Sequence, residues 1–393
     1  MSRPAEAAEG HSAVAPAGSR RRLVVGIDAS RSFGDRETGT ERYSTAVTEA
    51  LLGLGGHDYR LYTRPGRPGL PPAIAGGVAE QVALGAPRLW THTSLAWEVA
   101  QRSPDVLFVP AHVLPLYTRP PAVITVHDLG YLQFPGAHTW RQRAYLDWTT
   151  RRHASRAAAV IADSAATRDD LVDRYGADPD RVTVVHLGVD REMAPAAPAA
   201  VAAVRRSLGL PSGRPYVLHV GTLQPRKNLP RLLRAFAEVS GSEPRPVLVL
   251  AGKRGWGNED LPRMAADLGV ASDVIFARYV PREDLPALYS GAAVVAVPSL
   301  YEGFGLPVLE AMSCGAPVVA SATSSLPEVV GDAGLLFEPE DVGEIATALR
   351  AVLSDTVLAE RLSRLGRERA AQFTWERCAR RTRSVIEAAA ASR

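Results

Sequence analysis

Residues 294–321 read VVAVPSLYEGFGLPVLEAMSCGAPVVAS. The run at 294–297 is apolar on both strand faces and stops at Pro298. A loop then carries Gly303 and Gly305 around Phe304, and Pro307 stands where the first turn of a helix has no use for its missing N–H. By 318–320 the chain is apolar and β-branched again. Doubly apolar strand, glycine turn, short helix, doubly apolar strand: this is the unit of a parallel sheet covered by helices on both faces.

The same unit recurs in both directions. Strands are expected at 216–220, 247–251, 274–276, 294–297 and 318–320, with helices at 229–239, 261–268, 284–290, 307–312 and 342–353 between and after them. Upstream, strands at 23–28, 59–63, 106–109, 123–127, 160–162 and 182–186 alternate with helices at 41–54, 94–102, 140–156 and 165–175. Residues 191–215 interrupt the rhythm with Ala and Pro around a short helix near 201–208, so they read as a linker. Two open α/β domains facing one another across a cleft are expected, over 21–190 and 216–373. Thr374 caps a last helix with Glu376 in its first turn, and residues 374–393 are expected to pack back over the first domain.

Composition narrows the function. The 393 residues hold two or three domains of roughly 100–200 residues each. A formal charge of +3 makes no demand for nucleic acid, and no nucleic-acid-binding motif accompanies it. Cys314 and Cys378 lack a C-x-x-C or His-rich neighbourhood, which excludes a disulfide scaffold and fits a reducing compartment. No apolar stretch approaches the ~20 residues of a membrane helix. Residues 1–20, with no apolar core, read as a disordered leader rather than a signal peptide. A cytoplasmic protein is expected.

In an open α/β sheet, ligands bind beyond the carboxyl ends of the strands. After 216–220 comes GTLQPRKN, residues 221–228. Gly221 permits close backbone approach, and Arg226 and Lys227 place two cations beside a helix start, a combination suited to a diphosphate and equally to a solvated basic loop. After 294–297, the amides of Phe304, Gly305 and Leu306 are free to meet an anion or a sugar hydroxyl. Glu302 lies on the loop and Glu310 in the first turn of the helix. Both carboxylates can accept from polyol hydroxyls, although Glu310 also suits the helix dipole.

The E-x7-E spacing of Glu302 and Glu310 resembles the retaining nucleotide-sugar glycosyltransferases of the GT-B fold, family GT4. So do GTLQPRKNL, the stretch FARYVPREDLPALYSGAAVVAVPS, and ETGTERY and TVHDL in the first half. The order of motifs is most similar to the mannosyltransferase-B-like branch that builds polysaccharides. The resemblance implies that Arg226 and Lys227 bind the donor diphosphate, and that Gly39, in the loop after the first strand, approaches it. The Val280 backbone faces the base and Glu310 takes the ribose hydroxyls. Glu302, with the amides of Phe304, Gly305 and Leu306, holds the donor sugar. His127 lies at the reacting sugar and Asp128 on the acceptor side. Phe276-Ala277-Arg278-Tyr279 departs from the family's usual run near the base. The reaction implied is hexose transfer, mannose favoured, from a nucleotide sugar to a saccharide, lipid-linked saccharide or glycosylated metabolite. No cofactor or essential metal is implied. A sugar phosphorylase, or a binding protein without turnover, is the alternative.

Four other features stand outside these motifs. Asp178-Pro179-Asp180 spells a metal-binding D-x-D, yet sits in a polar turn, the favoured reading. The glycines of GKRGWG, residues 252–257, lack the acid a dinucleotide fingerprint requires, although Lys253 is placed to touch a donor. His153, His186 and His219 read as structural. Finally, residues 140–156 interleave Trp140, Tyr145, Leu146 and Trp148 with five arginines. The favoured reading puts the aromatics in the core and the arginines in water. The other lays a basic helix on the inner face of an anionic membrane, where a lipid-linked acceptor resides.

Overall fold

In a computed structural model of the chain, the described residues are 21–392 without 35–38, 67–76, 78, 86–88, 112, 135, 137–138, 242, 256 and 258–259. The expected leader at 1–20, Glu37 and Thr38 of ETGTERY, and Trp256 therefore lie outside them.

Two wholly parallel sheets form. The first contains β1 (Val24–Asp28), β2 (Asp58–Thr63), β3 (Ala79–Ala83), β4 (Val106–Val109), β5 (Ala122–Val126), β6 (Ala159–Ala162) and β7 (Val182–Val184). Their spatial order is β3-β2-β1-β4-β5-β6-β7. The second contains β8 (Tyr216–Val220), β9 (Val247–Ala251), β10 (Val274–Arg278), β11 (Val294–Val297), β12 (Val318–Ser321) and β13 (Leu335–Phe337), in the order β10-β9-β8-β11-β12-β13. Both run outward from a central first strand and reverse between their first and fourth strands. That reversal opens the crevice in which doubly wound sheets bind ligands.

The central strands β4, β5, β9, β11 and β12 are buried at every position, as doubly apolar runs require. The helix Leu229–Val239 shows how a covering layer is specified. Leu229, Leu232, Leu233, Phe236 and Val239 recur at helical spacing and are all buried, against the second sheet and the helix Val342–Ser354. Burying one such side chain contributes roughly 1.5–3 kcal/mol. At the carboxyl end, the Thr374 hydroxyl accepts from the Arg377 amide and opens the helix Trp375–Ala391. Its buried face, Cys378, Ala379, Val385, Ile386 and Ala389, packs on the helix Gly39–Leu54 and on β4–β6, returning to the first sheet as expected.

The structure corrects several boundaries. Two strands, Ala79–Ala83 and Leu335–Phe337, appear beyond those expected; both are edge strands, the first carrying Glu80 and Gln81 and the second an apolar run of only three residues. The first-sheet strand expected at 182–186 stops at Val184, and the one expected at 274–276 continues to Arg278. The helix expected at 94–102 is a π turn, Thr91–Leu95, running into the helix Ala96–Gln101. Gly39, expected in a loop, opens its helix. Asp178 accepts from the Asp180 amide in a 3-10 turn, as the turn reading required.

The helix Trp140–Arg156 forms with a Thr139–Gln142 capping box, but its aromatics are not in the core. Trp140, Tyr145 and Trp148 are 73, 43 and 47% exposed. The one acid in the helix, Asp147, accepts from the Tyr175 hydroxyl, and the buried side is made instead by Thr149, Thr150, His153 and Ala154. Among the described residues, no helix is long and apolar enough to cross a membrane.

Candidate active site

A cleft of about 440 Å³ lies between the carboxyl ends of the two sheets. All the site residues singled out from the sequence line it: Gly39, His127 and Asp128 from the first half, and Gly221, Arg226, Lys227, Val280, Glu302, Phe304, Gly305, Leu306 and Glu310 from the second. Lys253 lines it as well.

On the second-sheet side, Gly221 follows β8 directly, and Pro225–Lys227 makes one 3-10 turn before Asn228 starts the next helix in a left-handed conformation. The Leu300 amide donates to the Arg226 carbonyl at 2.9 Å, tying this loop to the one after β11. The two loops flank the β8/β11 reversal. Glu302 lies between both cations: Arg226 Nη1 donates to its Oε2 at 2.7 Å and Lys227 Nζ to its Oε1 at 2.5 Å. Burial favours a neutral carboxyl, but Lys227 and Arg226 outweigh it and hold the Glu302 pKa down to about 2. The cations expected to meet a diphosphate are thus assembled around an internal anion.

Gly305 adopts φ +103° before the helix Leu306–Ser313, a conformation that favours glycine. Among the described residues, the amides of Phe304, Gly305 and Leu306 have no hydrogen-bond partner, and all three residues line the cleft. Glu310 falls in the second turn of this helix, not the first; its placement owes nothing to the dipole there. It accepts from the Tyr289 hydroxyl at 3.1 Å and pairs with Arg282 at 3.6 Å. Burial raises its pKa against the pull of Arg282.

From the first sheet, His127 follows β5 and Asp163 follows β6. His127 Nδ1 lies 2.7 Å from Asp163 Oδ2, and Nε2 lies 3.3 Å from the Pro110 carbonyl. Both ring nitrogens face acceptors, an arrangement that fits two N–H groups. Burial opposes the charge, but Asp163 and the Pro110 carbonyl raise the His127 pKa above its ordinary value. Asp128 accepts from the Gly130 amide at 2.9 Å and adds negative potential at Arg226.

The two sides touch through backbone. A Cβ on Gly303 would stand 2.1 Å from the His127 carbonyl oxygen, so only glycine allows this approach. Ser164 Oγ donates to the Gly303 carbonyl at 2.7 Å, and the Tyr301 hydroxyl donates to Asp170 while accepting from the Leu129 amide.

Three residues that line the cleft, Arg42, Asp163 and Arg282, and one behind it, Asp190, were not singled out from the sequence. Arg42, Arg282 and the Trp375 indole all donate to Asp190, which is 5% exposed, so one carboxylate joins the first helix, the second half and the terminal helix. Arg42 sits within the ETGTERY motif and Arg282 within FARYVPREDL, so both were legible there; Asp163 and Asp190 are brought in from separate loops. The three histidines behave as structural: His153 accepts from the Leu114 amide, His186 meets Glu328, and His219 meets the Ala296 carbonyl, with burial and Lys227 pulling its pKa down to about 4.

A cationic pair at one sheet reversal, two buried glutamates and a histidine held by a carboxylate across the cleft thus come together in one place. Residues 38–193 match the family described as Glycosyltransferase Family 4, and residues 201–369 match Glycosyl transferases group 1. The chain belongs to glycosyltransferase family 4. It is 36% identical to O-antigen chain mannosyltransferase B of Escherichia coli over 262 residues, covering 66% of this chain and 68% of that protein. It is 41% identical to the D-inositol 3-phosphate glycosyltransferase of Salinispora arenicola over 232 residues, 56% of this chain and about half (52%) of that protein's length. Among solved structures, sucrose-phosphate synthase from Thermosynechococcus elongatus superposes with a TM-score of 0.76 at 24% identity, over 95% of this chain and all of that one. Anabaena HepE in complex with UDP-glucose superposes at 0.72 and 20% identity, over 93% and 100%. The GT-B architecture expected from the motifs is therefore the fold of this family 4 glycosyltransferase.

Proposed function

We propose that this glycosyltransferase moves a hexose, mannose first, from a nucleotide sugar to a hydroxyl of a saccharide or lipid-linked saccharide, with retention at the anomeric carbon. GDP-mannose is the favoured donor and UDP-sugars come next; polysaccharide assembly at the cytoplasmic side of the cell is the setting. The observation that carries this reading is the convergence of Arg226, Lys227, Glu302 and His127 on one cleft, joined to the similarity to mannosyltransferase B.

The diphosphate enters against Arg226 and Lys227 and takes over part of the charge that Glu302 supplies in its absence. Glu302 and the amides of Phe304, Gly305 and Leu306 then hold sugar hydroxyls, Glu310 the ribose, and the Val280 backbone the base, with Tyr279 and Lys253 at the rim. The anomeric C–O bond to the β-phosphate breaks through an oxocarbenium-like state while the acceptor oxygen bonds to the same face. Its proton passes to the leaving phosphate, so no covalent nucleophile is assigned. Two cations fixed in a buried site stabilise the charge growing on that phosphate, a role filled elsewhere by a metal. Turnover without added metal is accordingly part of the proposal.

A thermal-shift panel of GDP, UDP, ADP, dTDP and their sugars, with and without EDTA, tests it. A ligand that binds only the folded state raises the melting temperature by mass action. One nucleotide is expected to shift the wild type in EDTA, with the shift lost in Arg226→Ala and Glu310→Ala. Arg226→Ala is also expected to lower turnover by about 10²–10³-fold. Absence of a shift with every nucleotide sugar and no turnover with GDP-mannose or UDP-hexoses would sink the reading.

A further inference from the structure

The helix Trp140–Arg156 belongs to no part of the cleft, yet it is the most unusual surface on the molecule. Residues 139–145 are all exposed, and Leu146 is the first residue of the helix to pack on the core. Five arginines against Asp147 give it a net charge of +4, more than the +3 of the entire chain. Its cations and rings are stacked together: Arg141 lies 5.3 Å from the centre of Trp140, and Arg152 5.7 Å from that of Trp148.

Neighbouring segments extend this face. His92 bonds the Tyr145 hydroxyl at 3.0 Å, bringing the turn and helix that carry Trp97, 69% exposed, alongside. Arg152 reaches the Leu116 carbonyl, and Leu116 and Tyr117 are exposed beside it. Of the ten large hydrophobics exposed among the described residues, six lie in these segments. At the far end of the helix, a hollow of about 860 Å³ gathers Arg152, Arg156, Arg181 and Arg381, with Asp180, beside Leu114 and Val385. At the near end, Tyr145 lines a smaller hollow of about 180 Å³ with Asp28, Arg31, Arg64 and Pro110, whose carbonyl touches His127. The aromatic face thus runs from the edge of the reacting site to a cationic hollow.

We infer that this face docks on an anionic bilayer surface. Exposed tryptophan and tyrosine seat at the headgroup level, where an apolar ring and a polar edge are both satisfied. Arginines flanking them meet anionic headgroups, and a helix of low overall hydrophobicity lies in the interface rather than crossing it. Charge selects this occupant: a face that carries more than the whole chain's net positive charge complements a surface of phosphates. Docking in this way turns the Tyr145 hollow, and His127 behind it, toward the bilayer.

Flotation of the full chain with phosphatidylcholine vesicles, with and without one-third phosphatidylglycerol, reads docking without any turnover, so it can fail independently of the proposed activity. The wild type is expected to float with the anionic vesicles and not with phosphatidylcholine alone. Trp140→Ser with Trp148→Ser, and separately Arg141→Glu with Arg143→Glu, are each expected to cut the bound fraction by about tenfold or more. Both variants alter exposed side chains, and unchanged melting temperatures would show that they fold. No flotation of the wild type, or undiminished flotation of both variants, overturns the inference. So does a wild-type dimer, monomeric in the tryptophan variant, that ignores vesicles: the face would then join two copies of the chain.

Discussion

Asp163 is 2% exposed and sits one residue beyond β6, where its carboxylate meets His127 Nδ1. A histidine whose folded pKa lies above its unfolded value adds stability that is complete below about 6.5 and is lost as the pH rises through the folded value. Asp163→Asn keeps the hydrogen-bonding shape and removes the charge. His127 is then expected to lose its proton at lower pH, and if turnover uses that proton, kcat is expected to fall at lower pH with it. NMR titration of the His127 ring, alongside a pH profile of kcat, checks both; an unmoved ring titration would show that Asp163 does not set its charge. His127 was legible from TVHDL, but Asp163 was not. It is 36 residues away in the chain and becomes its neighbour only because β5 and β6 pair in parallel.

The loop after β11 and the helix it starts form the element on which the cleft turns. Its strand, glycines and Pro307 were readable locally, because each answers to a backbone requirement. What the local pattern did not contain is the opposing wall. Gly303 serves the contact with the His127 carbonyl, not a special dihedral. Gly303→Ala is expected to force the two loops apart at a cost of roughly 1–3 kcal/mol, as overpacking does. Lower melting temperature and weaker nucleotide-induced shifts in the same variant are the measurements. A wild-type melting curve with wild-type nucleotide binding would mean that the contact yields freely. The Trp140–Arg156 helix makes the same point in reverse. Its extent was legible from its sequence, while the exposure of its aromatics was not, because periodicity says which residues share a face and not what covers that face.

Across the whole molecule, Asp190 is the junction. It gathers Arg42 from the first helix, Arg282 from the second half and the Trp375 indole from the terminal helix; Arg282 in turn reaches Glu310 in the cleft. Removing one partner of a buried ion pair leaves uncompensated charge and costs about 3–5 kcal/mol. Arg282 is 43% exposed, so solvent screens part of this and the low end is expected. Asp190→Asn is therefore predicted to lower the melting temperature and to weaken nucleotide binding although it leaves Arg226, Lys227 and Glu302 in place. If nucleotide affinity is unchanged, the halves are held together by the other contacts between their loops.

The order of residues along the chain was enough to specify the repeating strand–helix units, the two sheets, the family, and each residue that answers to a short motif. Those properties depend on periodicity, turn chemistry and contiguous spacing, all of which are local. Folding in three dimensions was needed to set Glu302 between Arg226 and Lys227, to bring Asp163 to His127, to join three elements at Asp190, and to turn Trp140, Tyr145 and Trp148 outward. Each of these depends on which parallel strands lie side by side and how closely two domains approach, and neither is written in the spacing of any one segment.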